Sequence, residues 1–405
     1  MPIQNVEIPY GTYWSTPFAK WQGSLQHLHA MKLAAWVAKQ ELARRDIDPV
    51  IFDSGVLGMT NAQYQSFYGA PWPLYELGAA TTPGHQLSQI CATGVRGLFS
   101  GASEVALGLA DTSLLMTADR CSNGAHIYYP APGGPGGYGR SEDQVTYNMQ
   151  HDAIGGHSMI QTGENVAGKF GITREELDAV ALRRYEQYQQ ALKDEQAFQK
   201  RYMTLPFSVP NASFHKEAGT MTGDEGVFPT TADGLAGLKP VYDGGVVTFG
   251  NMTHPADGNA AMIVTTPDKA RALSRDPSIR ITLSGFGQAR TELAHMPEAP
   301  IEAAARALSA SGIGYRDLKA IKTHNPFAVN DVAFARATGV DVMTMNNYGC
   351  SMIWGHPQGP TGMRAIIELI EELVLLGGGH GLFTGCAGGD QAMAVVVSVD
   401  DRANA

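Results

Sequence analysis

Two cysteines and two histidines in glycine-containing segments have the side chains that acyl transfer requires. Cys91 begins the segment Cys-Ala-Thr-Gly, and His324, His356 and Cys386 follow in the last quarter of the 405-residue chain. A thiolate can accept an acyl group as a thioester, and an imidazole can carry the proton that the thiol loses. If the fold brings these four side chains together, we expect a covalent acyl-transfer site.

Cys91 lies where a strand-like run over residues 85–90 gives way to a predicted helix over residues 95–109. At the amino terminus of a helix, the unpaired amides and the helix dipole stabilise a thiolate. The position therefore predicts a lowered thiol pKa and a reactive nucleophile. A buried structural cysteine is the other interpretation of this segment.

Each histidine follows a pattern that can hold an imidazole in one orientation. His356 stands between a glycine and a proline, whose ring restricts the backbone, so this imidazole suits the base that deprotonates Cys91. His324 follows a strand-like run and could donate a hydrogen bond to a thioester oxygen, as could the amide of Asn325. A hydrogen-bonded structural histidine is the alternative at both positions.

Cys386 is followed by Ala-Gly-Gly-Asp, a flexible turn that could bring its sulfur close to a substrate carbon next to a carbonyl. A thiol there can act as an acid or a base. Packing is the alternative role for Cys386, and structural roles are expected for Cys121 and Cys350. Because the chain has no Cys-x-x-Cys pair, its four cysteines predict free thiols rather than disulfides or a zinc site.

The composition excludes several classes of protein. A hydrophobic content of 44% over 405 residues suits a globular enzyme, and a net charge of -10 without a basic stretch argues against a nucleic-acid partner. The apolar runs are too short to span a bilayer and the first residues lack a secretory pattern, so we expect a cytoplasmic protein without membrane association. No dinucleotide, P-loop or metalloenzyme motif is complete, which predicts no metal and no permanently bound cofactor.

The elements that must position these groups alternate between helices and apolar strands. Residues 25–45 predict a long helix, and residues 49–57 and 112–118 predict strands, which favours an α/β sheet covered by helices. Residues 122–243 are more polar, and a capping box at residues 173–176 predicts the start of a helix there. A reactive turn, a helix and a strand recur on both sides of this segment. Either a duplicated unit or the ordinary recurrence of such patterns in α/β proteins explains this.

Taken together, the motifs resemble those of the thiolase family over nearly the whole chain. Cys91–Gly94 is similar to the family's nucleophile segment, residues 355–357 match its Gly-His-Pro motif, and Cys386–Gly388 matches its Cys-x-Gly motif. Weaker similarities lie at Asp224-Glu225, residues 238–240, residues 248–251 and Asp257-Gly258.

The resemblance implies an α/β fold of five layers, αβαβα, built from two related halves with an inserted loop domain. Residues 1–121 would form the N-terminal half, which about residues 244–265 complete. Residues 122–243 would form the loop domain that binds coenzyme A, and residues 266–405 the C-terminal half.

The resemblance also implies a role for each candidate residue. Cys91 accepts the acyl group, His356 activates its thiol, and Cys386 exchanges a proton with the α-carbon of acetyl-CoA. His324, with a water molecule and His356, forms one oxyanion hole, and the amides of Cys91 and Gly388 form the other. Coenzyme A is a co-substrate rather than a bound cofactor, and its expected contacts are Met159, Asn251, Thr253 and Phe327.

Some positions depart from the commonest family pattern. His324–Phe327 has the His-x-x-Phe form of the sterol-carrier-type and archaeal-type branches, in which some members work beside a small OB-fold partner. The resemblance therefore implies a homodimer or homotetramer and admits such a partner subunit. Ser158 precedes Met159 where a histidine is usual. A bulky, branched or aromatic 3-oxoacyl-CoA, as in benzoylsuccinyl-CoA-like aromatic degradation, is suggested by Trp354, Tyr128, Tyr129 and Tyr138.

The predicted reaction is cleavage of a 3-oxoacyl-CoA by coenzyme A through an acyl group on Cys91. A biosynthetic Claisen condensation uses the same residues and stays open. A decarboxylating ketoacyl synthase is a second alternative, although its chemistry has no use for the thiol of Cys386. A non-catalytic thiolase-like subunit that binds acyl-CoA is a third, against which the intact set of four reactive residues argues.

Overall fold

The computed structural model describes residues 3–401, and no helix within that range has the length and apolar character needed to cross a bilayer. Its strands are β1 (Glu7–Ile8), β2 (Tyr13–Ser15), β3 (Ala19–Lys20), β4 (Ser54–Gly58), β5 (Gly84–Leu87), β6 (Thr112–Arg120), β7 (His126–Tyr129), β8 (Arg140–Asp143), β9 (Phe207–Pro210), β10 (Glu217–Met221), β11 (Ala256–Thr265), β12 (Ile279–Arg290), β13 (Leu318–His324), β14 (Gly379–Ala387) and β15 (Gln391–Asp401). Its helices are α1 (Ala30–Arg44), α2 (Pro71–Leu77), α3 (Thr93–Ala106), α4 (Thr146–Gln150), α5 (Met159–Phe170), α6 (Arg174–Ala191), α7 (Lys193–Gln196), α8 (Ala232–Ala236), α9 (Pro267–Leu273), α10 (Ala299–Ser311), α11 (Ala328–Thr338), α12 (Ser351–Trp354) and α13 (Gly359–Leu375).

The main sheet repeats one arrangement of strands. Its order is β13-β14-β15-β12-β1-β11-β6-β4-β5. In one part, β4 pairs in parallel with β6, which pairs antiparallel with β11. In the other part, β13 pairs in parallel with β14, which pairs antiparallel with β15. The chain is therefore built from two related halves, which β1 joins by pairing with both β11 and β12.

Helices cover the outer face of each half and fill the space between them. The helices α1 and α2 pack on one outer face, which includes Leu114. The helices α3 and α13 contribute Leu98 and Ile366 to a core that both halves of the sheet share. The helices α10 and α11 pack on the other outer face, which includes Val396. These layers confirm the predicted αβαβα fold.

Between β6 and β11 the chain leaves the main sheet. This segment contains two small antiparallel sheets, β7 with β8 and β9 with β10, and the helices α4 to α8. The helix predicted here begins with the expected capping box, because Thr173 accepts the amide of Glu176 while the Glu176 carboxylate accepts the amide of Thr173. Neighbouring residues alone were enough to predict this helix start.

Two predicted strands are shorter than expected. The strand predicted over residues 49–57 begins only at Ser54, because Pro49–Ile51 forms a 3₁₀ turn that the Asp48 carboxylate caps. The strand predicted over residues 85–90 ends at Leu87. Beyond it, Ile90 adopts a φ of 49°, a left-handed conformation that a strand does not contain.

Candidate active site

The two inner helices bring the two reactive turns together. Cys91 lies in a 3₁₀ turn directly before α3, and His356 lies shortly before α13. The helices approach closely because Gly94 has no side chain. A Cβ at Gly94 would lie 2.6 Å from the amide nitrogen of Met363 and 2.7 Å from the carbonyl oxygen of Gly359. Residues far apart in sequence thereby meet in one site.

The Cys91 sulfur and the His356 imidazole form a hydrogen-bonded pair. Sγ lies 3.1 Å from Nε2, and Nδ1 of the same ring lies 2.6 Å from the Thr361 hydroxyl oxygen. When Nδ1 carries the ring proton and donates it to Thr361, Nε2 presents a lone pair to the thiol. The arrangement is that of a nucleophile beside a base, with a third side chain that orients the base.

Burial changes the acidity of both members of this pair. It raises the pKa of the Cys91 thiol to about 12, although the backbone amide of Gly388 favours the thiolate. It lowers the pKa of the His356 imidazole to about 3. The expected lowering of the thiol pKa at the helix terminus is therefore wrong, because lost hydration outweighs the nearby amides. The resting pair is a neutral thiol and a neutral imidazole, so proton transfer must accompany attack.

His324, at the end of β13, faces the same pair. Its ring centroid lies 4.1 Å from that of His356. Its Nδ1 lies 2.8 Å from the Ser351 hydroxyl, whereas its buried Nε2 has no hydrogen-bond partner among residues 3–401. Burial, followed by the charge of His356, lowers the pKa of His324 well below its usual value, so the ring is neutral. When Nε2 carries the ring proton, it can donate to a substrate oxygen.

Cys386 is fully buried in β14 and does not form part of the cavity wall. The side-chain amide of Asn330, on α11, donates to its sulfur at 3.3 Å. Burial raises the pKa of the Cys386 thiol well above its usual value, and a charge on Cys91 acts in the same direction, so the two sulfurs are close enough to interact. A thiol that stays protonated at rest can deliver its proton to a substrate carbon.

Cys91 and His356 open into a cavity of about 560 Å³. Its walls include Cys91, His356 and Gly388, and none of the described residues that line it is a lysine or an arginine. Of the predicted coenzyme A contacts, three lie in these walls: Met159, Thr253 and Phe327. Apolar side chains make up most of the remaining lining, including Ile90, Val145, Met149, Ile160, Met252 and Met296.

A second cavity, also of about 560 Å³, adjoins the first. We call the cavity at Cys91 the inner cavity and the adjoining one the outer cavity. The two share Trp21, Met252 and Pro255 as lining residues. The second cavity extends to Phe249, whose ring is largely exposed. A long ligand could therefore run from the protein surface to Cys91.

Asn251, the fourth predicted coenzyme A contact, lies outside both cavities. It is fully buried, and its side-chain amide donates to the Asp178 carboxylate and the Val246 carbonyl. The side chain of Asn251 thus supports the loop that carries Thr253, and its expected contact with coenzyme A stays a prediction.

Other residues singled out from the sequence also lie away from the cavity. The side-chain amide of Asn325 donates to Asp331 at 2.7 Å and to the Cys350 sulfur at 3.2 Å, so neither of its protons is free to bind a substrate oxygen. Trp354 is fully buried, where it packs against Phe18 and the Arg364 guanidinium. Three tyrosines are exposed on or beside the β7–β8 hairpin and do not shape the cavity: Tyr128, Tyr129 and Tyr138.

Four side chains that contact the reactive groups were not predicted from the sequence. They are the hydrogen-bond partners of the cysteines and histidines: Asn330, Ser351, Gln358 and Thr361. Three of them, Ser351, Gln358 and Thr361, lie within five residues of His356, which is the one signal that could have drawn attention to them.

The side chains of Cys91, His324 and His356 also have the donor atoms of a soft metal site. The Cys91 sulfur and one ring nitrogen each from His324 and His356 lie within 4.8 Å of one another. A thiolate and two imidazoles are ligands that zinc prefers. The absence of a resident metal remains a prediction.

Comparison with known proteins gives matches over nearly the whole chain. The family model described as "Thiolase, N-terminal domain" matches residues 13–268, and "Thiolase, C-terminal domain" matches residues 278–399. An acetyl-CoA acetyltransferase of Pseudomonas aeruginosa is 29% identical over 404 residues, covering 98% of this chain and 100% of that protein. The human mitochondrial 3-ketoacyl-CoA thiolase is 28% identical over 395 residues, covering 94% of this chain and 96% of that protein.

Solved structures are also similar to this chain over nearly its whole length. The crystal structure of human mitochondrial 3-ketoacyl-CoA thiolase has a TM-score of 0.89 and 26% identity, covering 98% of this chain and 100% of that chain. The crystal structure of the same human enzyme in complex with CoA has a TM-score of 0.88 and 26% identity, covering 98% and 99%.

Proposed function

This chain belongs to the thiolase family, and from that premise we propose that it cleaves a 3-oxoacyl-CoA with coenzyme A through an acyl group held on Cys91. As a thiolase it is an acyltransferase with coenzyme A as co-substrate. The observation that carries the proposal is the 3.1 Å contact between Cys91 Sγ and His356 Nε2 in the wall of the apolar cavity.

In the first half-reaction, Cys91 Sγ attacks the 3-oxo carbon while its proton moves to His356 Nε2. The amides of Cys91 and Gly388 stabilise the oxyanion that forms on that carbonyl. The bond between C2 and C3 then breaks, leaving the acyl group on sulfur and an acetyl-CoA enolate. The Cys386 thiol protonates the enolate carbon, and acetyl-CoA leaves.

In the second half-reaction, the Cys386 thiolate takes the proton of the incoming coenzyme A thiol. The coenzyme A sulfur attacks the thioester, the acyl group moves to it, and Cys91 leaves as a thiolate. His356 returns its proton to Cys91, so all groups recover their starting states. The unpaired Nε2 of His324 supports the role of this residue, with a water molecule and His356, as the donor to the enolate oxygen of the first step.

The cavity supports an uncharged, bulky acyl group. Its lining contains four methionines and offers no lysine or arginine that could pair with a carboxylate on the acyl chain. Burying an unpaired carboxylate in apolar surroundings is strongly unfavourable. Methionine side chains adapt to irregular shapes, so branched and aromatic acyl groups fit this lining better than acyl groups with an acid at the end.

We place the pantetheine arm of coenzyme A along the shared wall of the two cavities. Met159, Thr253 and Phe327 line the inner cavity, and Trp21 and Met252 line both the inner and the outer one. The arm would enter from the outer cavity and present its thioester to Cys91.

Self-association through the free edge of the main sheet is also proposed. The strand β5 is the last in the sheet order, and Gln86 on it lies against Gly69 of the preceding loop. That loop exposes three large aromatic side chains, with Phe67 92% accessible: Tyr64, Phe67 and Tyr68. An open strand edge beside exposed aromatic surface is typical of an interface. Phe67→Ser should lower the mass measured by light scattering, and an unchanged mass would remove this interface.

Intact-protein mass spectrometry with a panel of acyl-CoAs tests the reaction. Incubation with linear, branched, aromatic and carboxylated acyl-CoAs should produce one acyl adduct, which peptide mapping should place on Cys91 and on neither Cys121 nor Cys350. Cys91→Ser should form no adduct and no product while keeping its fold. Turnover by that variant would disprove the mechanism.

Two further outcomes separate the alternatives. No adduct with any donor would favour a binding subunit, and the experiment would then be repeated after co-purification with a small partner protein. A carboxylated acyl-CoA as best donor would contradict the uncharged substrate. The condensation direction uses the same acyl-enzyme, and comparing both directions at equal substrate concentrations measures which is faster.

A further inference from the structure

The Cys91 sulfur has a second side-chain neighbour besides His356. The side-chain oxygen Oε1 of Gln358 lies 3.2 Å from Sγ, within the distance of a hydrogen bond from a thiol. Gln358 is only 3% exposed and lines the inner cavity. A buried side-chain amide beside the nucleophile, in a wall that is mostly apolar, needs an explanation.

The backbone holds Gln358 in an unfavourable conformation. Its φ is 64° and its ψ is -107°, a combination that residues other than glycine rarely adopt. The next residue anchors it, because the amide of Gly359 donates to Asp119 at 2.9 Å, and a Cβ at Gly359 would lie 2.8 Å from the same carboxylate. The Gln358 carbonyl also accepts the amide of Thr361 at 3.2 Å. These contacts hold Gln358 in a strained backbone conformation, and in this conformation its side chain lies against the Cys91 sulfur.

We propose that Gln358 is a further catalytic residue, whose side-chain oxygen accepts a hydrogen bond from the Cys91 thiol before the proton transfer and from the protonated Nε2 of His356 after it. This inference rests on the proposed role of Cys91 as the nucleophile. The step is a proton transfer alone: the S–H bond breaks, an N–H bond forms at Nε2, and the electron pair stays on sulfur. Gln358 neither gains nor loses a proton.

The electrostatics of the site explain why such an acceptor is needed. Burial lowers the pKa of His356, and the Gln358 side chain is the group that acts against burial by raising it. Burial also raises the pKa of Cys91, and the Asp119 carboxylate adds to this effect. His324 and Cys386, which also face the pair, are neutral at rest. Gln358 therefore supplies a dipole that stabilises the imidazolium without adding a charge that would repel the thiolate.

Replacement of Gln358 by methionine, which is similar in length but has no carbonyl, tests the inference. Alkylation of Cys91 by iodoacetamide, mapped by peptide mass spectrometry at about pH 8, reports thiolate formation without any acyl-CoA. We expect Gln358→Met to slow alkylation and single-turnover acylation about 10- to 100-fold, which is about 1.4 to 2.7 kcal/mol at 1.36 kcal/mol per tenfold. The KM for the 3-oxoacyl-CoA should change by less than about threefold, because the amide acts on the proton and not on binding.

A double-mutant cycle separates this role from a structural one. In a His356→Ala background, Gln358→Met should slow alkylation by less than about twofold, because the proton acceptor on which it acts is gone. Equal slowing in both backgrounds, or an unchanged or faster rate in the single variant, would overturn the inference. If wild-type Cys91 forms no acyl adduct while the alkylation results follow these expectations, the proposed reaction fails, and Gln358 acts only on the formation of the Cys91 thiolate.

Discussion

The hydroxyl of Ser351 controls which nitrogen of His324 carries the ring proton, and Ser351→Ala tests this control. The hydroxyl oxygen lies 2.8 Å from His324 Nδ1 and accepts the backbone amide of Asn325 at 3.2 Å, and the hydroxyl can also donate to Asn325 Oδ1 at 3.1 Å. A serine has one hydroxyl proton to donate. If that proton goes to Nδ1, the ring proton is held on Nε2, which faces the substrate oxygen. Asn325 Oδ1 still accepts the amide of Met352 at 3.3 Å.

The size of the effect follows from these contacts. Removing a complete oxyanion donor costs about 10²- to 10³-fold in kcat, which is the upper limit for any change at this site. Ser351→Ala keeps the donor but leaves the buried Nδ1 without a partner, a penalty of about 1 to 3 kcal/mol. At 1.36 kcal/mol per tenfold, kcat should fall about 5- to 150-fold. The KM should change by less than about threefold, because His324 acts in the transition state.

Steady-state thiolysis of a 3-oxoacyl-CoA measures kcat and KM separately, and nitrogen NMR of the histidine rings reports the tautomer of His324. The matched control is Ser311→Ala in α10, where the hydroxyl donates to the carbonyl of Ala307 at 2.8 Å and is remote from the cavity. The control should keep its kcat. An unchanged kcat in Ser351→Ala, or a loss confined to KM, would refute the reasoning.

Three further predictions concern the thiols and the inner helices. Cys386→Ala should still be acylated on Cys91 but should fail to exchange the α-protons of acetyl-CoA into deuterated water; normal exchange would remove Cys386 from its role. The raised pKa of Cys91, about 12, means that its alkylation rate should rise about tenfold per pH unit between about pH 7 and 10. A plateau within that range would show a thiol of ordinary acidity. Gly94→Ala should lower the free energy of unfolding by about 1 to 3 kcal/mol, because the added methyl meets backbone atoms of α13. Gly97→Ala, with its nearest neighbour 3.9 Å away, is the control for denaturant unfolding, and equal losses in both variants would contradict the packing argument.

Short-range sequence patterns predicted the structural features that depend only on neighbouring residues. The capping box at Thr173 begins α6, as expected, because its two hydrogen bonds link residues three positions apart. The same approach failed at residues 85–90, where the run of strand-forming residues gave no indication of the left-handed turn at Ile90. That turn depends on how the reactive segment packs between the two halves.

The aromatic residues show a second limit of sequence reasoning. Trp354 and the tyrosines near the β7–β8 hairpin suggested a bulky acyl pocket by their size alone. In the structure the Trp354 ring packs against the buried Arg364 guanidinium, and the tyrosines are exposed to solvent. The cavity is lined instead by methionines from several separate segments. The apolar lining of the cavity could therefore not be predicted from any one of these segments.

The sequence by itself determined which reactive groups exist and in which turns they stand. These features depend on residue type and short-range pattern, whereas two related α/β parts around an insertion were predicted only through the resemblance of the motifs to a known family. Only the tertiary structure decided that Cys91 meets His356 and Gln358, that Ser351 orients His324, and that burial holds the thiol protonated. Hydration and hydrogen-bond partners are set by atoms from distant parts of the chain, and these forces reverse the acidity expected from the position of Cys91 at the start of a helix.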